Sequence, residues 1–428
     1  MTPQDRAFLV ALFEAAVAAA DPERALAGAL PARPRGRTVV VGAGKGAAQL
    51  ARAFERLWDG PLSGVVVTRY GYGVPCERVQ VREAAHPVPD AAGLAAAEAL
   101  MAAVSGLGPD DLVVALICGG GSALLPAPPA GLTLADEQAL NEALLASGAP
   151  IGVMNALRKH ASRIKGGRLA ALAAPARVVS LVVSDVPGDD PAQVASGLTV
   201  PDAIGPAEAL AMARARGIVL PPRVAAHIAG PGAAAPHPAD PVFARNIVRV
   251  IASARLSLEA AARAAEAAGW RAAILSDAIE GEAREVGRVH AAIAREVATR
   301  ARPFAPPVVI LSGGETTVTL RGTPGRGGRN TEFLLAFAQG VEGLGGLAAL
   351  AADTDGIDGS EDNAGAFADG ASTARMRAAG LDPAAALAAH DAWGAFAAAG
   401  DLFAPGPTGT NVNDFRAIAV GAPATAGA

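Results

Sequence analysis

Cysteine is nearly absent. Cys76 and Cys118 are the only two in 428 residues, too few for a disulfide framework or a cysteine-bound zinc site, so a reducing cytoplasm is the expected setting. Aromatic residues make up 4 % and charged residues 18 % of the chain, and the formal charge is −5. No run of Lys and Arg exists, which argues against nucleic acid or an anionic membrane as partner. The mean hydropathy is +0.32, yet no apolar stretch of about 18 residues occurs, so no membrane-spanning helix is expected. The opening Met1-Thr2-Pro3-Gln4-Asp5-Arg6 lacks the basic start, apolar centre and cleavage site of a signal peptide, and none is expected. The histidines are scattered without paired spacing, which disfavours zinc, and no G-x-S-x-G elbow is found, which disfavours a serine hydrolase.

What is present is small and helix-forming. Hydrophobic residues reach 51 %, much of it alanine, enough to bury a large core in two or three domains of roughly 100–200 residues each. Basic residues are almost all arginine, with lysine only at Lys45, Lys159 and Lys165. Against that bias, a Lys where Arg could have served weakly favours a need for a compact ammonium.

Helices are expected over 5–20 and 23–30, then strands and helices alternate. Strands are read at 38–41, 62–68, 79–83, 111–118 and 177–184, with helices near 45–57, 91–104, 134–146 and 153–173 between them. The continuous apolar run at 111–118 suits a strand covered on both faces, and the alternation predicts a parallel sheet flanked by helices. Pro, Gly and Ala concentrate at 221–241, which places the boundary between a domain at 1–235 and one at 240–428. A second Pro-rich joint lies at 302–307. Beyond it a strand at 308–312, a hairpin through Gly313-Gly314 into 316–321, a helix from Thr331, and strands at 347–352 and 415–420 are expected.

Glycine-rich turns fall where strands end, the place where open α/β sheets bind ligands. Gly42-Ala43-Gly44-Lys45-Gly46-Ala47 matches G-x-G-x-x-A, whose backbone N–H groups can face a phosphate. The acidic residue expected at the end of the next strand is missing, where Val67-Thr68-Arg69 stands, and a Walker A pattern is absent. The turn is therefore either a phosphate cradle carrying Lys45 or a tight structural turn with a solvated lysine. Gly119-Gly120-Gly121-Ser122 forms a second nest of donors suited to phosphate. Asp185, Asp189 and Asp190 crowd three carboxylates into one turn, which repel unless a cation such as Mg²⁺ or local donors offset them. Gly313-Gly314-Glu315 precedes a loop with Arg326 and Arg329 among glycines, then Asn330. Asp353-Thr354-Asp355-Gly356-Ile357-Asp358 resembles part of a calcium loop but lacks its closing Glu. Asn411 and Asn413 precede the last strand, and Asn155, Arg158 and Lys159 share a basic helix that is either a solvated face or an anion site.

Taken together, these segments, in this order over nearly the whole chain, resemble the type II glycerate kinases, the glycerate 2-kinase family with a C-terminal MOFRL domain. The resemblance implies a Rossmann-like N-terminal domain with a mostly parallel sheet, a smaller α/β C-terminal domain with its MOFRL region at about 305–420, and an active site in the cleft between them. It implies phosphorylation of the 2-hydroxyl of D-glycerate by ATP with Mg²⁺. Lys45, Arg329, Arg326 and Asp189 are then the catalytic candidates. Gly42, Gly44, Gly119, Gly120, Gly121, Ser122, Gly313, Gly314, Glu315 and Asn330 are candidates for nucleotide or phosphate. Lys159, Arg158, Asn411 and Asn413 are candidates for substrate, and Asp189, Asp190, Asp353 and Asp355 for metal. The alternatives are an NAD(P)H-dependent hydroxypyruvate reductase, with Arg69 near a 2′-phosphate, and a non-catalytic nucleotide-binding regulator. The sequence does not fix the oligomeric state, and a homodimer is compatible with it.

Overall fold

The structure is a computed structural model that describes residues 1–320 and 325–421. It divides into two compact units, an inner one in sequence, Pro22–Ile251, and an outer one built from Met1–Asp21 and Ala252–Ala428.

The inner unit carries six strands: β1 (Thr38–Ala43), β2 (Ser63–Arg69), β3 (Val79–Ala84), β4 (Leu112–Ile117), β5 (Arg177–Val183) and β6 (Ile247–Ala252). Their order is β3-β2-β1-β4-β5-β6, and β3 through β5 are parallel throughout. β1 and β4 are buried along their whole length, as central strands with helices on both faces must be. Odd-numbered Val39, Val41, Val113 and Ile117 enter one apolar cluster with Leu100 and Val104 of the helix Ala91–Val104. The direction of travel reverses between β1 and β4, which opens a crevice at their carboxyl ends.

The outer unit carries β7 (Arg271–Glu282), β8 (Val308–Thr317), β9 (Leu347–Asp353), β10 (Gly365–Asp369), β11 (Leu402–Phe403) and β12 (Asp414–Val420). The order is β11-β10-β9-β12-β8-β7. Only the β7–β8 pairing is parallel; the others are antiparallel. Period-two alternation splits β8 and β12 between two cores. Val308, Ile310, Ile418 and Val420 face the helices Ala283–Arg300 and Arg329–Gly340. Val309, Leu311, Ala417 and Ala419 face the N-terminal helix Pro3–Ala19 through Leu9, Leu12, Phe13 and Ala16.

Three expectations change. The units divide at 21/22 and 251/252 rather than within 221–241, because the first helix buries its apolar side on the outer sheet and β6 extends the inner sheet beyond the Pro-rich stretch. The helix expected over 153–173 is two helices, Ile151–His160 and Arg168–Ala173, interrupted where Gly166 and Gly167 take positive φ, a region open to glycine and costly for other residues. The hairpin at Gly313-Gly314 is instead the middle of β8, paired with β12 on one side and β7 on the other; Arg321, its expected end, lies outside the described residues. The strand β10 carries no sequence signal strong enough to predict it. Among the described residues no helix is long and apolar enough to cross a membrane.

Candidate functional site

The inner unit gathers its chemistry at the β1–β4 crevice. The turn after β1 is clamped from both sides: the Lys45 N–H donates to the Gly119 carbonyl at 2.9 Å, and the Lys45 carbonyl accepts from the Thr68 hydroxyl at 3.0 Å. Gly44 has φ +130°, and a Cβ there would lie 2.4 Å from the Cys118 carbonyl oxygen, so the two glycine turns approach as only glycine allows. The helix Ala47–Leu57 starts at Gly46 without a side-chain cap, leaving first-turn N–H groups for an anion.

Lys45 is half-buried in this turn. Among the described residues it has no carboxylate within ion-pair distance, whereas the other two lysines do. Lys159 is 1 % exposed and paired with Asp202, and Lys165 is 1 % exposed and bonded to Glu137 at 2.6 Å and to the Leu125 carbonyl at 3.1 Å. The predicted substrate role of Lys159 therefore meets an ammonium already committed to the fold. His86 flanks Lys45: a methyl on Gly120 would lie 3.2 Å from both His86 Nε2 and Lys45 Cγ. Burial, then the Lys45 and Arg69 charges, hold the His86 imidazole down to about 4, so it is neutral near pH 7. Nothing in the sequence marked His86, because its partners come from other strands.

Beside them, Gly119 lies so close to Asp185 that a Cβ would sit 1.8 Å from the carboxylate. Asp185 thus enters the crevice mouth with the predicted glycines, ahead of Asp189 and Asp190. Burial and the Asp185 charge push the Cys118 thiol up, so Cys118 is an inert neighbour. Asp189 is half-buried at φ +55°, and exposed Asp190 accepts from the Ala192 N–H at 2.9 Å within its own turn. Ser122 bonds Ser196 at 2.6 Å, and Ser196 donates to Asn155 Oδ1 at 2.8 Å. Ala195 and Ser196 both take positive φ, a strained backbone that fixes this relay. Arg158 closes it with hydrogen bonds to Asn155 Oδ1 at 3.3 Å and Asn141 Oδ1 at 2.6 Å. Burial pulls the Arg158 guanidinium down to about 10, with Glu137 acting the other way.

The outer unit gathers a second cluster where β9 ends and β12 begins. Arg329 Nε donates to Asp414 Oδ1 at 2.6 Å and its Nη2 to Asp353 Oδ2 at 2.5 Å, while exposed Glu315 stands 3.8 Å away. Burial would weaken the Arg329 charge, but Asp414 and Asp353 overcome it and hold the guanidinium ionised. Asp414, fully buried, is kept below the usual carboxylate range by Arg416 and Arg329 in spite of burial. Asp353 is pushed well up by burial, against the pull of Arg329 and with Asp355 and Asp414 adding to the rise. Asn330 Nδ2 reaches Asp414 at 2.9 Å, and its buried Oδ1 has no partner. Asp355 accepts from Asn411 Nδ2 at 3.2 Å, and Asn411 Oδ1 accepts from the Asn413 N–H at 3.0 Å.

Other predicted residues have structural partners. Asp358 caps the helix Arg329–Gly340, accepting from the Asn330 N–H at 2.9 Å and from the Thr331 N–H and hydroxyl at 2.8 Å. Arg326 is ion-paired with Glu361 and stacked 3.5 Å above the Trp393 ring. Gly313 and Gly314 are strand residues, so their backbone is not the open loop a phosphate nest requires. Among the described residues no three His, Cys, Asp or Glu side chains converge on a metal position.

The family described as a domain of unknown function, DUF4147, matches residues 8–229, and the MOFRL family matches residues 308–414. A Pyrococcus horikoshii protein named glycerate 2-kinase is 38 % identical, with 93 % of each chain covered. An Agrobacterium vitis protein provisionally named hydroxypyruvate reductase is 54 % identical over 97 % of this chain and 94 % of its own. The crystal structure of glycerate kinase from Thermotoga maritima superposes with a TM-score of 0.88 at 36 % identity, covering 98 % of this chain and 100 % of that one. The chain belongs to the glycerate 2-kinase family, with its DUF4147 and MOFRL parts in that order.

Proposed function

We propose that the protein is a phosphotransferase that moves the γ-phosphoryl group of ATP to the 2-hydroxyl of D-glycerate. The observation that carries the mechanism is Lys45, an ammonium with no carboxylate within ion-pair distance among the described residues, held by two clamped glycine turns at the switch point of a parallel sheet. Phosphoryl transfer needs positioning and charge neutralisation more than covalent help. The Gly44–Gly46 turn and the Gly119–Ser122 nest offer backbone donors to the nucleotide phosphates, and Lys45 faces the oxygens on which charge builds up. Neutral His86 beside it adds a hydrogen-bonding group without a second charge. Arg329, in the outer unit, is held ionised and fixed by Asp414 and Asp353.

Mg²⁺ fits the donors present. It is ordinarily held by one or two carboxylates together with substrate phosphates, and Asp185, packed against Gly119 at the crevice mouth, offers one such carboxylate, with Asp189 four residues on as the second candidate. The ion would neutralise phosphate charge.

A reductase reading draws on the name of the Agrobacterium relative. It lacks the ribose-binding acid: β2 ends at Thr68-Arg69, with the Thr68 hydroxyl spent on Lys45 and the Arg69 guanidinium 4.3 Å above the Tyr72 ring. Incubation with D-glycerate, ATP and Mg²⁺ should release ADP, with 2-phosphoglycerate identified by ³¹P NMR. NADPH absorbance with hydroxypyruvate should stay flat. Oxidation without ADP formation would reverse the assignment.

A further inference from the structure

Three histidines are buried, and each ring is bonded: His160 to the Ala233 and Ile204 carbonyls, His290 to the Val286 carbonyl and Ser312, His390 to Glu332. His86 differs. It is half-buried, neither ring nitrogen has a hydrogen-bond partner among the described residues, and neither is sealed from solvent. The chain around it is nonetheless held firmly. Strand β3 ends at Ala84. The Pro87 carbonyl accepts from Asn141 Nδ2 at 3.2 Å and the Pro89 carbonyl from Gln138 Nε2 at 2.7 Å. Asp90 then caps the helix Ala91–Val104, accepting from the Gly93 N–H at 2.8 Å. None of these bonds uses the imidazole, so the segment is fixed while its ring stays uncommitted. The ring reaches the glycine nest: the spot that a Gly120 methyl would fill lies 3.2 Å from His86 Nε2 and 3.4 Å from Lys45 Cε.

We propose that His86 is the base of the transfer, its Nε2 taking first the hydrogen bond and then the proton of the acceptor hydroxyl. This rests on the kinase reading and assigns that reaction its proton acceptor. As the hydroxyl oxygen bonds the γ-phosphorus, the bond from that phosphorus to the β,γ-bridging oxygen breaks and its electron pair leaves with ADP. The hydroxyl proton passes to Nε2 and from there to solvent. A neutral imidazole has a free lone pair on one nitrogen, and burial with the Lys45 and Arg69 charges keeps His86 neutral. Phosphates bound at Lys45 offset one of those charges, so the ring gains basicity as the nucleotide arrives. Mg²⁺ prefers oxygen ligands, which leaves Asp185 for the ion and the imidazole for the proton.

The test uses the full chain and two substitutions. His86→Gln keeps a hydrogen-bond acceptor but cannot take a proton, and His86→Gly leaves room for free imidazole. Each should lower kcat on the order of 100-fold, while the calorimetric affinity for ATP stays within about twofold. Imidazole in solution should raise the kcat of His86→Gly and leave that of His86→Gln unchanged. Near wild-type kcat in His86→Gln, no rescue of His86→Gly, or a loss of ATP affinity in step with kcat would overturn the proposal and leave His86 a residue that shapes the Lys45 turn. A binding readout separates this from failure of the kinase reading. In the ¹⁵N spectrum of the wild type with a non-hydrolysable ATP analogue, the His86 Nε2 signal, assigned by its loss in His86→Gln, should shift on adding D-glycerate. It should not shift with 3-hydroxypropionate, which lacks the 2-hydroxyl. If that shift appears but the wild type forms no ADP, the hydroxyl contact stands and the reaction assignment falls. If ADP forms and the signal does not move, the reaction stands and His86 is not its base.

Discussion

At the residue scale, the three lysines divide by environment. Lys159 and Lys165 are buried and paired, so their ammonium groups belong to the fold. Lys45 has no carboxylate within ion-pair distance among the described residues. Lys45→Ala should nearly abolish turnover, and Lys45→Arg should restore only a small part, because a planar fork lands differently on a tetrahedral phosphoryl group and misplacement by about 1 Å can cost on the order of a hundredfold. The melting temperature should move little in either variant, since Lys45 carries no buried pair. Near wild-type turnover in Lys45→Arg would show that only diffuse charge is required. Lys159→Ala reverses this pattern. It strands Asp202, and removing one partner of a buried pair costs about 3–5 kcal/mol, so a large drop in the urea midpoint is the expected reading.

At the element scale, the site depends on how turns and helix starts are pinned. Gly119→Ala would drive a methyl into the Asp185 carboxylate. Strand β4 precedes this turn, so far-ultraviolet circular dichroism should be unchanged while kcat/KM falls at least tenfold, by the reasoning that displaced catalytic groups lose positioning. Asp358→Ala should act on stability instead. It removes the acceptor for two backbone N–H groups and one hydroxyl at the start of Arg329–Gly340, a loss of about 2 kcal/mol. Because Arg329 opens that helix, activity should fall with it; Asp358→Asn, which keeps an acceptor, should recover part of both.

At the scale of the whole molecule, the outer unit draws on both ends of the chain. Leu9, Leu12 and Phe13 are at most 2 % exposed against its sheet. At roughly 1.5–3 kcal/mol per large side chain, their burial rivals a typical net stability. A chain beginning at Pro22 should therefore lose cooperative melting of the outer unit while the inner sheet stays protected in hydrogen exchange. Acid should also destabilise the protein through His290. Burial, with Arg416 adding to it, holds this imidazole at about 4 in the folded state against an ordinary 6.5. Below pH 6.5 the unfolded chain takes up a proton that the folded chain refuses, so stability falls as pH drops toward 4, by on the order of 3 kcal/mol. His290→Asn should flatten that limb of the Tm-versus-pH curve, and an unchanged limb would show that other groups carry it.

The parallel sheet, its covered central strands and the glycine turns at strand ends were legible in the residues because each is written locally. A continuous apolar run, a β-branched segment and a Gly-x-Gly turn need no distant partner to be recognised. The motif order was likewise enough to point to the family. The division of charges was not. Arg329 meets Asp353 and Asp414, which lie 24 and 85 positions away. Asp202 finds Lys159 across 43 positions. Gly313-Gly314 reads as a turn by composition, yet pairing on both edges makes it strand. Sequence alone names the groups able to carry a charge. Which of them keeps it uncompensated depends on long-range contacts and burial, and only the folded chain spends Lys159, Arg326 and Arg329 on carboxylates while leaving Lys45 without one among the described residues.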